Sequence, residues 1–157
     1  MSKEFIIIYV LVLIIALLAV GIKNLTVRNQ ITKLKNNSLE MTPEEFFRMR
    51  NASNGGRGRR HISTNKDFPG VYILYNHDRG MYYVGQGKRV LQRVNMHFTG
   101  KGNGDVYADW KYGNRFTISM IALENSGFQT LNELERHAIQ RYSAYSKGYN
   151  KTRGNRG

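Results

Sequence analysis

Arg93 and His97 lie four residues apart, in a stretch where Val90, Val94 and either Leu91 or Phe98 recur at helical spacing. A helix there would set a guanidinium beside an imidazole on one face, a pattern that suits an anion and not an apolar core. Tyr72 follows Gly70 by two residues and Tyr83 precedes Gly85 by two, in two short runs that read as strands. On antiparallel neighbours, two such phenols share one face of a sheet. Glu135 stands in a later helical stretch. Two phenols, a guanidinium, an imidazole and one carboxylate suit hydrolysis of a phosphodiester. The transition state of that reaction gathers negative charge, which Arg93 would stabilise. Glu135 would hold a single divalent cation, Mg²⁺ or another, that stabilises the leaving 3′ oxygen. A phenol close to a cation can have its pKa lowered enough to help activate water.

The elements that must carry these groups are legible nearby. Residues 70–75 and 81–85 read as strands around a five-residue turn ending in Gly80, which makes a hairpin. Residues 89–98 read as a helix, 100–104 as a glycine-rich loop and 116–123 as a third strand. Residues 130–145 read as a second helix, opened by the capping pattern Thr130-Leu-Asn-Glu133. The order ββαβα predicts an α/β fold: a small three-stranded, mostly antiparallel sheet flanked by helices. Trp110 reads as an anchor in the loop before the third strand.

These residues resemble the paired signature of the GIY-YIG nuclease family. Gly70-Val71-Tyr72 and, ten residues later, Tyr83-Val84-Gly85 match its two tripeptides, with valine at both isoleucine positions. Arg93, His97, Glu135 and the pair Tyr149-Asn150 then follow in order, and the resemblance covers roughly residues 69–152. Taken singly, Tyr72 and Tyr83 would be half-buried strand aromatics and Glu135 a surface carboxylate. The ordered set is what singles them out. The resemblance implies that Tyr72 activates the attacking water and that Tyr83 helps to position water or phosphate. It implies Arg93 as the phosphate-binding arginine, His97 as an accessory base or hydrogen-bonding residue, and Glu135 as the sole protein ligand of the metal. Asn150 matches a late residue that supports the site or contacts phosphate. The resemblance assigns the proton to no single one of Tyr72, Tyr83 and His97.

The N-terminal part is different in kind. Residues 5–22, opened by Phe5 and closed by Ile22, hold 17 apolar residues out of 18 and no charge. A helix of that length spans roughly 27 Å, about one hydrocarbon core. The run is longer than the apolar core of a signal peptide and does not end at a small-x-small cleavage site. It therefore reads as an uncleaved anchor in contact with membrane lipid. Lys23, Arg28, Lys33 and Lys35 follow it, against Lys3 before it, which predicts a single-pass protein with its C-terminal part cytoplasmic.

Residues 1–24 thus read as the anchor, 25–65 as a basic helical and flexible connector, and 66–157 as the nuclease-like domain. In the connector, Val27, Ile31 and Leu34 at helical spacing extend the first helix, and Thr42-Pro-Glu-Glu45 opens a short second one. The net charge of +13, from 24 Lys+Arg and 11 Asp+Glu, resides wholly in connector and domain. Arg57, Arg59 and Arg60 in the connector, with Lys88, Arg89 and Asn150 in the domain, are the expected nucleic-acid contacts. The absence of cysteine excludes a disulfide framework, thiolate zinc and a cysteine nucleophile. No small-molecule cofactor is expected. The reading is a membrane-anchored, Mg²⁺-dependent DNA endonuclease of low sequence specificity. The alternative is a membrane-tethered nucleic-acid-binding protein without catalysis.

Overall fold

The computed structural model describes residues 3–51 and 66–154. Its elements are α1 (Lys3–Asn36), β1 (Glu40–Met41), α2 (Pro43–Asn51), β2 (Gly70–Asn76), β3 (Met81–Gly87), α3 (Val90–Phe98), α4 (Gly104–Tyr112), β4 (Phe116–Ala122) and α5 (Leu131–Arg141). The four strands form one antiparallel sheet in the order β1-β4-β2-β3.

The sheet has one strand more than the sequence suggests. The added strand β1 is only two residues long, and Glu40 and Met41 pair with Ser119 and Ile118. A two-residue strand carries no alternation to detect, and its position is set by Met41 entering the core. The helix α4 is also additional, and Trp110 lies on it rather than in a loop. Three nearby glycines obscured it, although Asn103 caps its start and Gly113, at φ 106°, ends it in the left-handed region. The helix α5 ends at Arg141, four residues short of the expected Tyr145, and Ser143 turns the chain at φ 52°.

The pleat of β2 divides the core into two layers. Tyr72 and Leu74 face a layer built with Met41, Phe46, Val90, Val94, Phe98, Val106 and Ile118. Val71 and Ile73 face the opposite layer, with Val84, Ile121, Leu134, Ala138, Ile139 and Ile31. Ile31 belongs to α1, so the first helix contributes directly to the core formed by the sheet and α5. Two hydrogen bonds pin it there: Gln30 Nε2 donates to the Ser126 carbonyl at 2.7 Å, and Arg141 Nε donates to Thr32 Oγ1 at 2.8 Å. The capping box of α2 forms as its sequence requires. Glu45 N donates to Thr42 Oγ1 at 3.2 Å, and Thr42 N to Glu45 Oε2 at 2.8 Å.

The other half of α1 packs against nothing. Its most apolar 18-residue window has mean hydropathy 3.3 and no buried residue. By length and composition, α1 is able to cross a membrane.

Candidate active site

Tyr72 sits at the centre of the sheet and is completely buried. Gly85 is its partner across β3. A β-carbon at position 85 would collide with the Tyr72 phenol, so the glycine of the second tripeptide makes room for the tyrosine of the first. Gly70 has a similar reason, because a β-carbon there would run into the Ile121 carbonyl of β4. Tyr83 lies diagonally from Tyr72 on the same face, with ring centroids 6.1 Å apart. His97 closes the group, 4.7 Å from the Tyr83 ring and 5.3 Å from that of Tyr72.

The hydrogen bonds fix the tautomer of His97. The Asn103 main-chain N–H donates to Nδ1 at 2.9 Å, so Nδ1 carries no proton. Burial pushes the imidazole pKa down to about 4, with Arg93 adding in the same direction. The neutral ring therefore holds its proton on Nε2, and Nε2–H donates to Tyr72 Oη at 2.8 Å. Gly102 lets the loop close over the ring, since a β-carbon there would lie 2.6 Å from Nδ1. Of the two roles open to His97, this geometry supports the hydrogen-bonding one.

Burial pushes the Tyr72 pKa well above the usual phenol range, and the charge of Arg93 opposes it. The expectation of a lowered phenol pKa is overturned in the resting site, because desolvation outweighs the neighbouring cation. The Tyr83 phenol is also raised, by burial first and by Glu135 among the smaller causes. Arg93 is exposed on α3, and its stem lies beside Gly87, where a β-carbon would come within 2.8 Å of its Cγ.

Glu135 reaches the same edge of the sheet from the other layer, on α5, and is 9% exposed. Gln86 Nε2 donates to its Oε2 at 2.9 Å and to Asn132 Oδ1 at 2.6 Å. Gln86 was not singled out in the sequence; it lies between Gly85 and Gly87 on β3 and steers the carboxylate. Among the described residues, no three His, Cys, Asp or Glu side chains gather around a common point. A cation at Glu135 would thus have a single protein carboxylate. That donor set fits Mg²⁺, which commonly binds one or two carboxylates and keeps water and phosphate as its other ligands.

The other expected residues divide. Asn150 Nδ2 donates to the Val84 carbonyl at 2.7 Å, and its Oδ1 accepts from Val84 N at 2.8 Å. This engages both ends of the carboxamide with the edge strand, so the geometry supports Asn150 as a support of the site and not as a phosphate contact. Lys88 and Arg89 are exposed just before α3, and Arg89 Nε lies 3.9 Å from Asp67 Oδ2. Arg57, Arg59 and Arg60 lie outside the described residues.

Two supporting groups escaped the sequence reading. Asp67 accepts from Leu91 N at 2.7 Å and Gln92 N at 3.1 Å, and so caps α3 from a distance. Asn103 caps α4, donates its main-chain N–H to His97 and reaches the Tyr149 carbonyl at 3.2 Å. Its capping position before the helix was visible in the sequence once α4 is recognised.

The family model that matches this chain is that of the GIY-YIG catalytic domain, over residues 68–150. Among solved structures, the chain is similar to the catalytic domain of the intron endonuclease I-TevI in a point-mutant form. The identity is 22% and the TM-score 0.41, over 57% of this chain and 98% of that one. No curated protein sequence matches the chain.

Proposed function

From the premise that the chain belongs to the GIY-YIG family of catalytic domains, whose match covers more than half of it, we propose a membrane-anchored, Mg²⁺-dependent DNA endonuclease. The family makes it a nuclease, a phosphodiester hydrolase. The metal, the DNA substrate, the anchor and the low specificity are our reading. The observation that carries it is the group around Tyr72, where Tyr83 and His97 converge and the charge of Arg93 is felt.

His97 Nε2–H holds the Tyr72 oxygen and leaves the phenol proton free to point elsewhere. Tyr72 orients the attacking water and takes up its proton on Oη while handing its own phenol proton to a non-bridging oxygen of the scissile phosphate. The phenolate character that develops is stabilised by His97 and Arg93. Arg93 also binds the scissile phosphate and stabilises its growing charge. Glu135, held by Gln86, would carry the divalent cation, which when bound stabilises the leaving oxygen. Asn150 and Asn103 keep β3 and His97 in position.

The exposed apolar half of α1 supports insertion in a bilayer, and the cations after it support a cytoplasmic C-terminal part. Low sequence specificity is part of the reading, with the anchor supplying location, as for foreign or imported DNA at the membrane.

The test uses the full chain in detergent with supercoiled plasmid, in Mg²⁺ or in EDTA. Nicked and then linear product in Mg²⁺ alone is expected. Cleavage that survives EDTA, or tight binding without cleavage, would overturn the proposal. Membrane flotation checks the anchor: the parent should float with vesicles and a chain lacking residues 3–22 should not.

A further inference from the structure

A second basic site lies along α5 and the turn that follows it. It is a cavity of about 460 Å³, lined by Arg136, Gln140, Ser143, Tyr145, Ser146 and Arg153 over a floor of Ile139. Two guanidiniums, three hydroxyls and a carboxamide line it, and among the described residues no carboxylate does. That is a complement for a phosphodiester and a poor one for a neutral or cationic ligand.

The cavity is built by two contacts of the C-terminal tail, one with the turn after α5 and one with α5 itself. The Arg153 guanidinium carbon lies 5.4 Å from the centre of the Tyr145 ring, which holds the forked donor group over an aromatic face. Gly154, at φ 97°, packs on the helix where a β-carbon would come within 3.3 Å of Arg136 Cα. The tail thus brings Arg153 to the same cavity as Arg136.

Arg136 directly follows Glu135, so the two side chains leave the helix about 100° apart. On a helix about 10–12 Å across, two directions 100° apart are separated by roughly 8–9 Å at the surface, the path a strand covers from a scissile phosphate at Glu135 to the cavity. At a rise of about 3.4 Å per nucleotide, that is roughly two to three nucleotides.

We propose that this cavity between α5 and the tail binds a backbone phosphate of the substrate strand, about two to three nucleotides from the scissile bond. Arg136 and Arg153 hold the phosphate, and Ser143 and Ser146 donate to its oxygens. The proposal rests on the nuclease reading for the identity of the ligand, and its test is separate from cleavage.

The experiment measures binding of a labelled oligonucleotide to the full chain in detergent, over a range of salt, with Glu135→Gln as the background. Adding Arg136→Gln and Arg153→Gln should weaken binding about tenfold and lower the log–log salt slope by about 0.7 to 0.9, one phosphate contact's worth. The corresponding pair of Lys substitutions should restore most of the slope, which separates lost charge from an undocked tail. A loss in the Gln pair supports the cavity whether or not the parent cleaves DNA. Unchanged affinity and slope would overturn it. So would a loss confined to binding of phosphatidylserine vesicles, which would make the ligand a lipid headgroup.

Discussion

The two faces of the central strand β2 do different work. Tyr72 and Leu74 point into a layer that contains an imidazole, a second phenol and the buried Asn76–Tyr149–Asp109 chain of hydrogen bonds, 2.7 and 2.6 Å long. Val71 and Ile73 point into a layer of aliphatic side chains that includes Ile31 from the first helix. One residue of register separates chemistry from attachment. Glu135 is the exception, since it reaches the edge of the site from the aliphatic layer; apart from it, changes on the first face should move turnover and changes on the second should move stability.

The largest effect belongs to the site. Glu135→Gln should lower the cleavage rate by about 10³-fold or more, because a carboxamide is a poor ligand for a hard cation. Its melting temperature should stay near that of the parent. Loss of folding in this variant would blur the division of the two faces.

Next comes the attachment face. Ile31→Ala removes a fully buried side chain and should cost about 2–5 kcal/mol in unfolding free energy. The turnover of molecules that remain folded should not change. Chemical denaturation beside single-turnover cleavage reads both quantities. A chain beginning at residue 62 loses Ile31, Met41 and Phe46 together from the core and should not hold its fold.

Asn150→Ala tests the edge of the division. It removes two hydrogen bonds to Val84, each worth about 1 kcal/mol, and frees the β3 edge beside Tyr83. Both stability and rate should fall, the rate by less than in Glu135→Gln. Full activity in this variant would show that β3 keeps its position unaided.

The dependence of stability on pH tests the buried imidazole. The His97 pKa is about 4 in the folded chain and near 6.5 when unfolded, so below pH 6.5 the unfolded chain binds the extra proton. Stability should fall as pH drops from 6.5 toward 4 and be fully present above that window. Replacing His97 by Gln should flatten this slope; an unchanged slope would assign it to other groups.

Much of this division is readable from residue types alone. Tyr72, Tyr83, Arg93, His97 and Glu135 stand at spacings that define strands and helices, and glycines at 70, 85 and 87 mark close approaches. The parts that escaped are those set by tertiary contact. β1 exists because Met41 and Glu40 meet β4, which no two-residue pattern announces. Gln86 matters only because α5 brings Glu135 to it. The raised phenol pKa of Tyr72 reflects complete burial, whereas a cation at sequence distance suggested the opposite sign. The packing of α1 through Ile31 was present as a helical stripe, but its partner surface was not.

The most direct test is the single-turnover rate of DNA cleavage by Arg93→Ala in the full chain, with the melting temperature taken on the same sample. The account predicts a rate about 10²–10³-fold below the parent at an unchanged melting temperature. A rate within about threefold of the parent, well under what one lost charge-stabilising donor removes, would contradict it.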